Sequence, residues 1–289
     1  MDPLIRPTLD GRAEAGPNAE VAMPIDLPRV IGHRGAAGAA PENTLASIAR
    51  AKELGASWVE FDVKLTKDAH AILFHDDRLE RTTDGQGWVA ATTLAEIKGL
   101  DAGSWFDRSF RREPVPTFDE ALALCAELGL GINVEIKPCA GRERETAQAT
   151  MSALLELWPH TMPAPLISSF APACLRVAYE MAPRMPRGYL AGGLPRRWRE
   201  LMAEYGFATL HLNHRRIVPW QRASVVAAGV PLVLYTINHG LAARRQLEAG
   251  VAAVFTDHVD WVLAALAPVR GPAPTDQLTG RSSPPGMSS

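Results

Sequence analysis

The sequence predicts an α/β chain folded as a TIM-type (β/α)8 barrel with a small inserted subdomain, and three observations carry that expectation. Short apolar runs alternate with longer amphipathic segments from about position 29 to position 267, the pattern of strand–helix units around a parallel sheet. About eight such units follow one another, as a closed barrel requires. No GxGxxG loop joins a strand to a helix, which disfavours the runner-up, a doubly wound open sheet.

The units can be followed along the chain. Arg29-Val30-Ile31-Gly32-His33 reads as a first strand, and Asn43 as the cap of a helix running to Leu54, with Gly55 as its stop. Trp58–Val63 is a second strand and Ala71–Phe74 a short further one. From Arg78 to Glu113 the periodicity fails, and polar, Gly-rich sequence around Trp88, Trp105 and Phe106 predicts an inserted excursion. Regularity returns with a helix at Thr117–Leu128, a strand at Gly131–Ile136, a helix at Arg142–Leu157 and a strand at Pro165–Ser169. Helix–strand pairs follow at Pro172–Met181 with Arg187–Leu190 and at Arg196–Tyr205 with Thr209–Leu212. Pro219–Ala228 with Pro231–Thr236 and Leu241–Glu248 with Val254–Thr256 complete the series before a last helix at Val259–Leu266.

A chain of 289 residues that is 47% hydrophobic can bury one large core. The expected organisation is a barrel domain over residues 28–267 with its insertion at about 78–113, between arms at 1–27 and 268–289. Those arms are rich in Pro, Gly, Ser and charge, and are expected to be disordered. Net charge is −2, and the basic run Pro195-Arg196-Arg197-Trp198-Arg199 reads as a solvated helix start. No wider basic stripe accompanies it, so no nucleic-acid partner is expected. Cys125, Cys139 and Cys174 show no metal-ligand spacing and no disulfide framework, which fits a reducing compartment. With neither a signal-peptide pattern nor an apolar run of about 18 residues, the expected location is cytoplasmic, with no transmembrane segment.

Charged residues embedded in apolar strands carry the chemistry. Residues i and i+2 of a strand share a face, so Glu60 and Asp62 present two carboxylates together, and Glu135 with Lys137 repeats the geometry. Carboxylates converging at the C-terminal mouth of a barrel repel one another unless a cation sits among them. An all-oxygen ligand set of Glu60, Asp62 and Glu135 selects one hard divalent cation, Mg²⁺ or Ca²⁺, with Mn²⁺ also compatible. His33 and His75 each end a strand on that side and could supply the base and the acid of a phosphodiester cleavage. Arg34 offers a planar fork for phosphate oxygens and Lys137 a second cation. Gly35 would let the backbone approach the ligand. Asp76 either orients His75 or is solvated.

The segments His33-Arg34-Gly35, Pro41-Glu42-Asn43-Thr44, Glu60-Phe61-Asp62-Val63, Phe74-His75-Asp76 and Arg81-Thr82-Thr83-Asp84-Gly85 resemble the glycerophosphodiester phosphodiesterases in order and spacing. So do Leu100–Phe106, Val115–Phe118, Asn133–Lys137 and Phe255-Thr256-Asp257, so that the likeness runs from about Val30 to Leu266. The resemblance implies a TIM-type barrel with an insertion, and metal-dependent hydrolysis of small glycerophosphodiesters to sn-glycerol 3-phosphate and an alcohol. It also implies that His33 and His75 are the acid–base pair, that Glu60, Asp62 and Glu135 are metal ligands, and that Arg34 and Lys137 bind phosphate. Pro41-Glu42-Asn43-Thr44 reads as a helix start that braces the first loop. Tyr235 falls where the family often has Trp, and is either a pocket wall or a core aromatic. Where the family commonly has Asp-Gly before the His75 strand, this chain has Asp68-Ala69-His70. Two alternatives stay open: a lysophospholipase D-type phosphodiesterase, and a barrel that holds a glycerophosphate without cleaving it. Which histidine is the acid, and whether water or a substrate hydroxyl attacks, are also open.

Overall fold

The computed structural model describes residues 25–268, so most of both expected arms lies outside the described residues. Eight parallel strands form a closed ring: β1 (Val30–Gly32), β2 (Trp58–Leu65), β4 (Gly131–Ile136), β5 (Leu166–Ser169), β6 (Arg187–Ala191), β7 (Thr209–Asn213), β8 (Leu232–Tyr235) and β9 (Ala253–Thr256). The ring closes where β1 pairs with β9 over three residues and with β2 through Gly32 and Val59. Helices α1 (Leu45–Glu53), α3 (Phe118–Leu128), α4 (Glu143–Leu157), α5 (Pro172–Met181), α6 (Trp198–Tyr205), α7 (Pro219–Ala227), α8 (Gly240–Glu248) and α9 (Val259–Leu266) lie between and after the strands. The predicted TIM-type barrel is the observed fold. Among the described residues no helix is long and apolar enough to cross a membrane.

The ninth strand, β3 (Ala71–Leu73), is not part of the ring. It pairs antiparallel to β2, with Val63 opposite Leu73. The cause is the connection: a parallel crossover needs a dozen or more residues, and the turn Thr66–His70 is far shorter. Ala69 turns the chain with φ +63°, a left-handed conformation that an alanine side chain disfavours. The turn where the family commonly has a glycine is thus made without one here, closed by Thr66 N–H donating to His70 O at 3.0 Å.

Alternation along β2 and β4 separates two environments. Val59, Phe61, Val63, Ile132, Val134 and Ile136 face outward into the layer shared with α1, α3, α4 and α5. The intervening residues point into the barrel. Its floor is apolar, made by Ile31, Trp58, Leu166, Val233 and Phe255, and above it Glu60, Asp62 and Glu135 are buried. Both faces of β2 are covered along its whole length, as parallel strands wrapped by helices must be. Arg187, fully buried at the start of β6, donates to the carbonyls of Pro183, Met185, Tyr205 and Gly206 and lies 4.8 Å from the Tyr179 ring.

Between β3 and α3 the chain makes its excursion, with α2 (Leu94–Lys98) and two short 3₁₀ turns at Val89–Ala91 and Arg108–Phe110. Ile72, Phe74, Leu79, Val89, Ile97, Ala102 and Val115 give it a small core of its own. The Asp101 carboxylate organises its tip, accepting from the N–H groups of Gly103, Ser104 and Arg112. Capping boxes at Thr93/Glu96 and Thr117/Glu120 set the starts of α2 and α3.

Candidate active site

The C-terminal ends of the strands surround a cavity of about 480 Å³, within the range of small-molecule sites. His33, Arg34, Glu60, His75, Glu135, Lys137 and Tyr235 all line it. Asp62 lies directly beside it, cross-strand from Glu135 in the β2–β4 ladder. The eight predicted site residues are thus brought together at one mouth.

Glu60, Asp62 and Glu135 each offer a carboxylate oxygen, and the three atoms lie within 4.8 Å of one another. Burial, followed by repulsion from Asp62 and Glu135, pushes the Glu60 carboxyl well above the ordinary carboxylate range. Burial and the Asp62 charge push Glu135 up to about 7. Burial alone would raise Asp62 as well, but Arg34 and Lys137 outweigh it and hold Asp62 below its usual range. Arg34 Nε stands 3.3 Å from Asp62, and Lys137 Nζ stands 3.5 Å from Asp62 and 3.0 Å from Glu135. The Glu60 Oε1 oxygen is buried without a hydrogen-bond donor. A buried, orphaned carboxylate oxygen beside two repelling carboxylates is a donor set that fits a hard divalent cation.

Each histidine is held by a carboxylate at Nδ1, which leaves Nε2 free. His33 Nδ1 meets Asp257 Oδ1 at 2.6 Å, and its Nε2 lies 3.9 Å from Glu60 Oε2. His75 Nδ1 meets Asp76 Oδ1 at 2.5 Å. Both Asp partners are fixed in turn: Asn238 donates to Asp257, and Arg81 donates to Asp76. The hydrogen bond from Arg81 draws the Asp76 carboxyl down to about 2. Burial lowers the His75 imidazole, and the Arg34 and Lys137 charges add to that effect against the opposing Asp62.

The loop after β1 adopts a demanding conformation to place Arg34. Arg34 has φ +51° and Gly35 φ +84°. Glu60 pins the loop, accepting from Arg34 N–H through its side chain at 3.0 Å and from Gly35 N–H through its carbonyl at 3.1 Å. Gly35 differs from its expected role. A Cβ there would stand 2.5 Å from Ser47 Oγ, so the glycine lets the loop press on the start of α1 rather than on a ligand.

A family model for the glycerophosphoryl diester phosphodiesterases matches residues 33–261. The chain belongs to that family. It is therefore an enzyme, a phosphoric diester hydrolase by descent. A glycerophosphodiester phosphodiesterase of Caldanaerobacter subterraneus subsp. tengcongensis is 36% identical over 229 residues, covering 79% of this chain and 93% of the relative. One from Bacillus subtilis is 31% identical over 250 residues, covering 80% and 83%. Among solved structures, a phosphodiesterase of Oleispira antarctica in complex with the product sn-glycerol 3-phosphate superposes with a TM-score of 0.81 at 41% identity, covering 83% of this chain and 97% of that one.

The site also contains residues to which the sequence alone assigns no role or a different one. Asn43 is not the helix cap: Thr44 is, accepting from Ser47 N–H. Asn43, at φ +57°, instead donates to Asp62 Oδ2 and accepts from Asp62 N–H. Two hydrogen bonds to one buried carboxylate residue explain why it departs from the cap to which its local propensity points. Glu42 accepts from both Arg34 and Arg81, which ties the first loop to the loop carrying His75. Asp76 takes the orienting position of its two expected ones, with Oδ1 on His75 Nδ1 rather than lying free in solvent. Tyr235 is a pocket wall, its hydroxyl donating to Ala191 O at 3.0 Å.

Proposed function

We propose that the chain hydrolyses glycerophosphodiesters to sn-glycerol 3-phosphate and an alcohol, using one divalent cation held by Glu60, Asp62 and Glu135 and the proton-transfer pair His33 and His75. The observation that carries the reading is one cavity at whose edge a cluster of three buried carboxylates meets two carboxylate-held histidines and two cations. The barrel over residues 28–267, with its excursion at about 78–113, is proposed as the complete catalytic unit.

A bound divalent cation supplies Lewis-acid polarisation of a phosphate oxygen. Arg34 and Lys137 are positioned to neutralise the charge that grows on the remaining phosphate oxygens. Asp257 and Asp76 accept the Nδ1 protons and so keep Nε2 of each imidazole available toward the cavity. One Nε2 takes the proton of the attacking hydroxyl and the other returns a proton to the departing alcohol oxygen. Mg²⁺, Ca²⁺ and Mn²⁺ all suit the oxygen ligands. Three free, buried cysteines support a reducing, cytoplasmic setting.

Turnover of glycerophosphoglycerol, followed by release of sn-glycerol 3-phosphate, tests the reading. Activity should vanish with chelator and return with added cation, and His33→Ala and His75→Ala should each abolish it in folded protein. Full activity in either variant would overturn the acid–base assignment. Preference for lysophospholipids in the same assay would favour the lysophospholipase D-type alternative, and ligand retention without turnover would favour a binding barrel. Early products formed in ¹⁸O-labelled water distinguish attack by water from attack by the substrate's own hydroxyl.

A further inference from the structure

The cavity has a second wall that the reaction chemistry leaves unused. It is formed by the loop that ends β7, with Asn213, His214 and Arg215 lining the space opposite the acids. This loop is built rather than slack. Arg215 N–H donates to Asn213 Oδ1 at 2.9 Å, Arg216 N–H to Asn213 O at 2.9 Å, and His214 N–H to Tyr235 O at 3.0 Å. An asparagine side chain that closes a turn on the backbone two residues on fixes the position from which Arg215 projects. Arg216 lies across Gly192, where an added Cβ would stand 3.2 Å from its Nη1.

The charges of this wall are uncommitted. Arg34 and Arg81, on the catalytic side, are each paired with carboxylates. Arg215 and Arg216 are exposed, and among the described residues neither makes an ion pair. The aromatic surface nearby does not balance them. Phe170 already has Lys137 Nζ 5.6 Å from its ring centroid, and it meets Tyr235 edge-on at 6.0 Å. A quaternary ammonium is recognised by an open aromatic face; here it would find that face shared with one cation and the opposite wall carrying Arg215, with Arg216 next to it in the loop.

Resting on the phosphodiesterase reading above, we infer that the Asn213–Arg216 loop is a leaving-group subsite that selects glycerophosphodiesters whose departing alcohol bears an anionic group. The bond cleaved is the same: the phosphorus–oxygen bond to the alcohol breaks and the alcohol leaves protonated. The arginines touch only the substituent, in the ground state and the transition state alike. Their effect therefore falls on KM more than on kcat.

Three substrates for the full-length enzyme with added Mg²⁺ test this: glycerophosphoglycerol, the same diester with a phosphate on its far glycerol, and glycerophosphocholine. Exposed charge contacts contribute up to about fivefold each. The phosphorylated diester should thus exceed glycerophosphoglycerol in kcat/KM by about tenfold, with glycerophosphocholine lowest. In the double variant R215Q/R216Q that ratio should fall to about one, the change lying in KM, and the extra salt sensitivity of the anionic substrate should disappear. Equal ratios in wild type and variant, or a wild-type preference for glycerophosphocholine, would overturn the inference. No turnover of any of the three with Mg²⁺, Mn²⁺ or Ca²⁺ would overturn the phosphodiesterase reading and this inference with it.

Discussion

Lowering the pH should destabilise this barrel through one residue that no solvent reaches. His211, on β7, is fully buried, with Nε2 paired to Thr209 Oγ1 at 2.8 Å and Nδ1 without a partner. The Phe255 ring stands edge-on at 5.4 Å. Gly188 leaves the space the imidazole fills, since a Cβ there would lie 2.6 Å from its Nε2. Burial alone lowers its pKa from 6.5 to about 3. The unfolded chain takes up this proton as pH falls through 6.5, whereas the folded chain refuses it until about 3. The stability that neutral His211 contributes is thus complete above pH 6.5 and is lost as pH falls from 6.5 toward 3. At about 1.4 kcal/mol per pH unit, the loss by pH 4 is about 3 kcal/mol. Urea unfolding midpoints at intervals between pH 7 and pH 4 measure it. His211→Gln, which keeps a hydrogen-bonding group but cannot titrate, should remove the slope assigned to this ring, whatever it does to stability at pH 7. An unchanged slope in that variant would refute the argument.

Other perturbations test other links. Asp257→Asn should reduce kcat by about 100-fold or more by releasing the His33 tautomer, with KM little changed, in steady-state assays. Ala69→Gly should raise unfolding stability by about 0.5 kcal/mol, because relief of the left-handed alanine exceeds the added chain entropy; chemical denaturation reads it. Arg187→Leu should cost about 3 kcal/mol by leaving its carbonyl partners without donors, seen as a fall in Tm of about 6–12 °C.

Strand periodicity made the barrel legible because each inward carboxylate sits inside an unmistakably apolar run, as in Val59-Glu60-Phe61-Asp62-Val63. The metal-ligand candidates followed directly from that alternation. What stayed hidden depended on partners remote in sequence. His33 and Asp257 are 224 positions apart, and no local pattern links them, although Phe255-Thr256-Asp257 stood among the matching segments. Asn43 misled for a different reason: it has the composition of a cap and sits one residue before the true one, but its tertiary bonds to Asp62 decide its conformation. The direction of β3 was recoverable from connection length alone.

The barrel seam between β1 and β2 has a consequence for how this enzyme would tolerate change. Only Gly32 and Val59 are paired there, and the bonds that continue the closure beyond them run from Arg34 and Gly35 to Glu60. One glutamate thus serves as clasp for the ring and as a wall of the reaction chamber. A substitution at Glu60 would remove the side-chain clasp on Arg34 N–H while leaving the backbone bond to Gly35, and under the proposed metal role it would alter architecture and chemistry together. A cation seated against the same carboxylate would fasten the seam, making metal loss a mechanical event for the barrel as well as a chemical one.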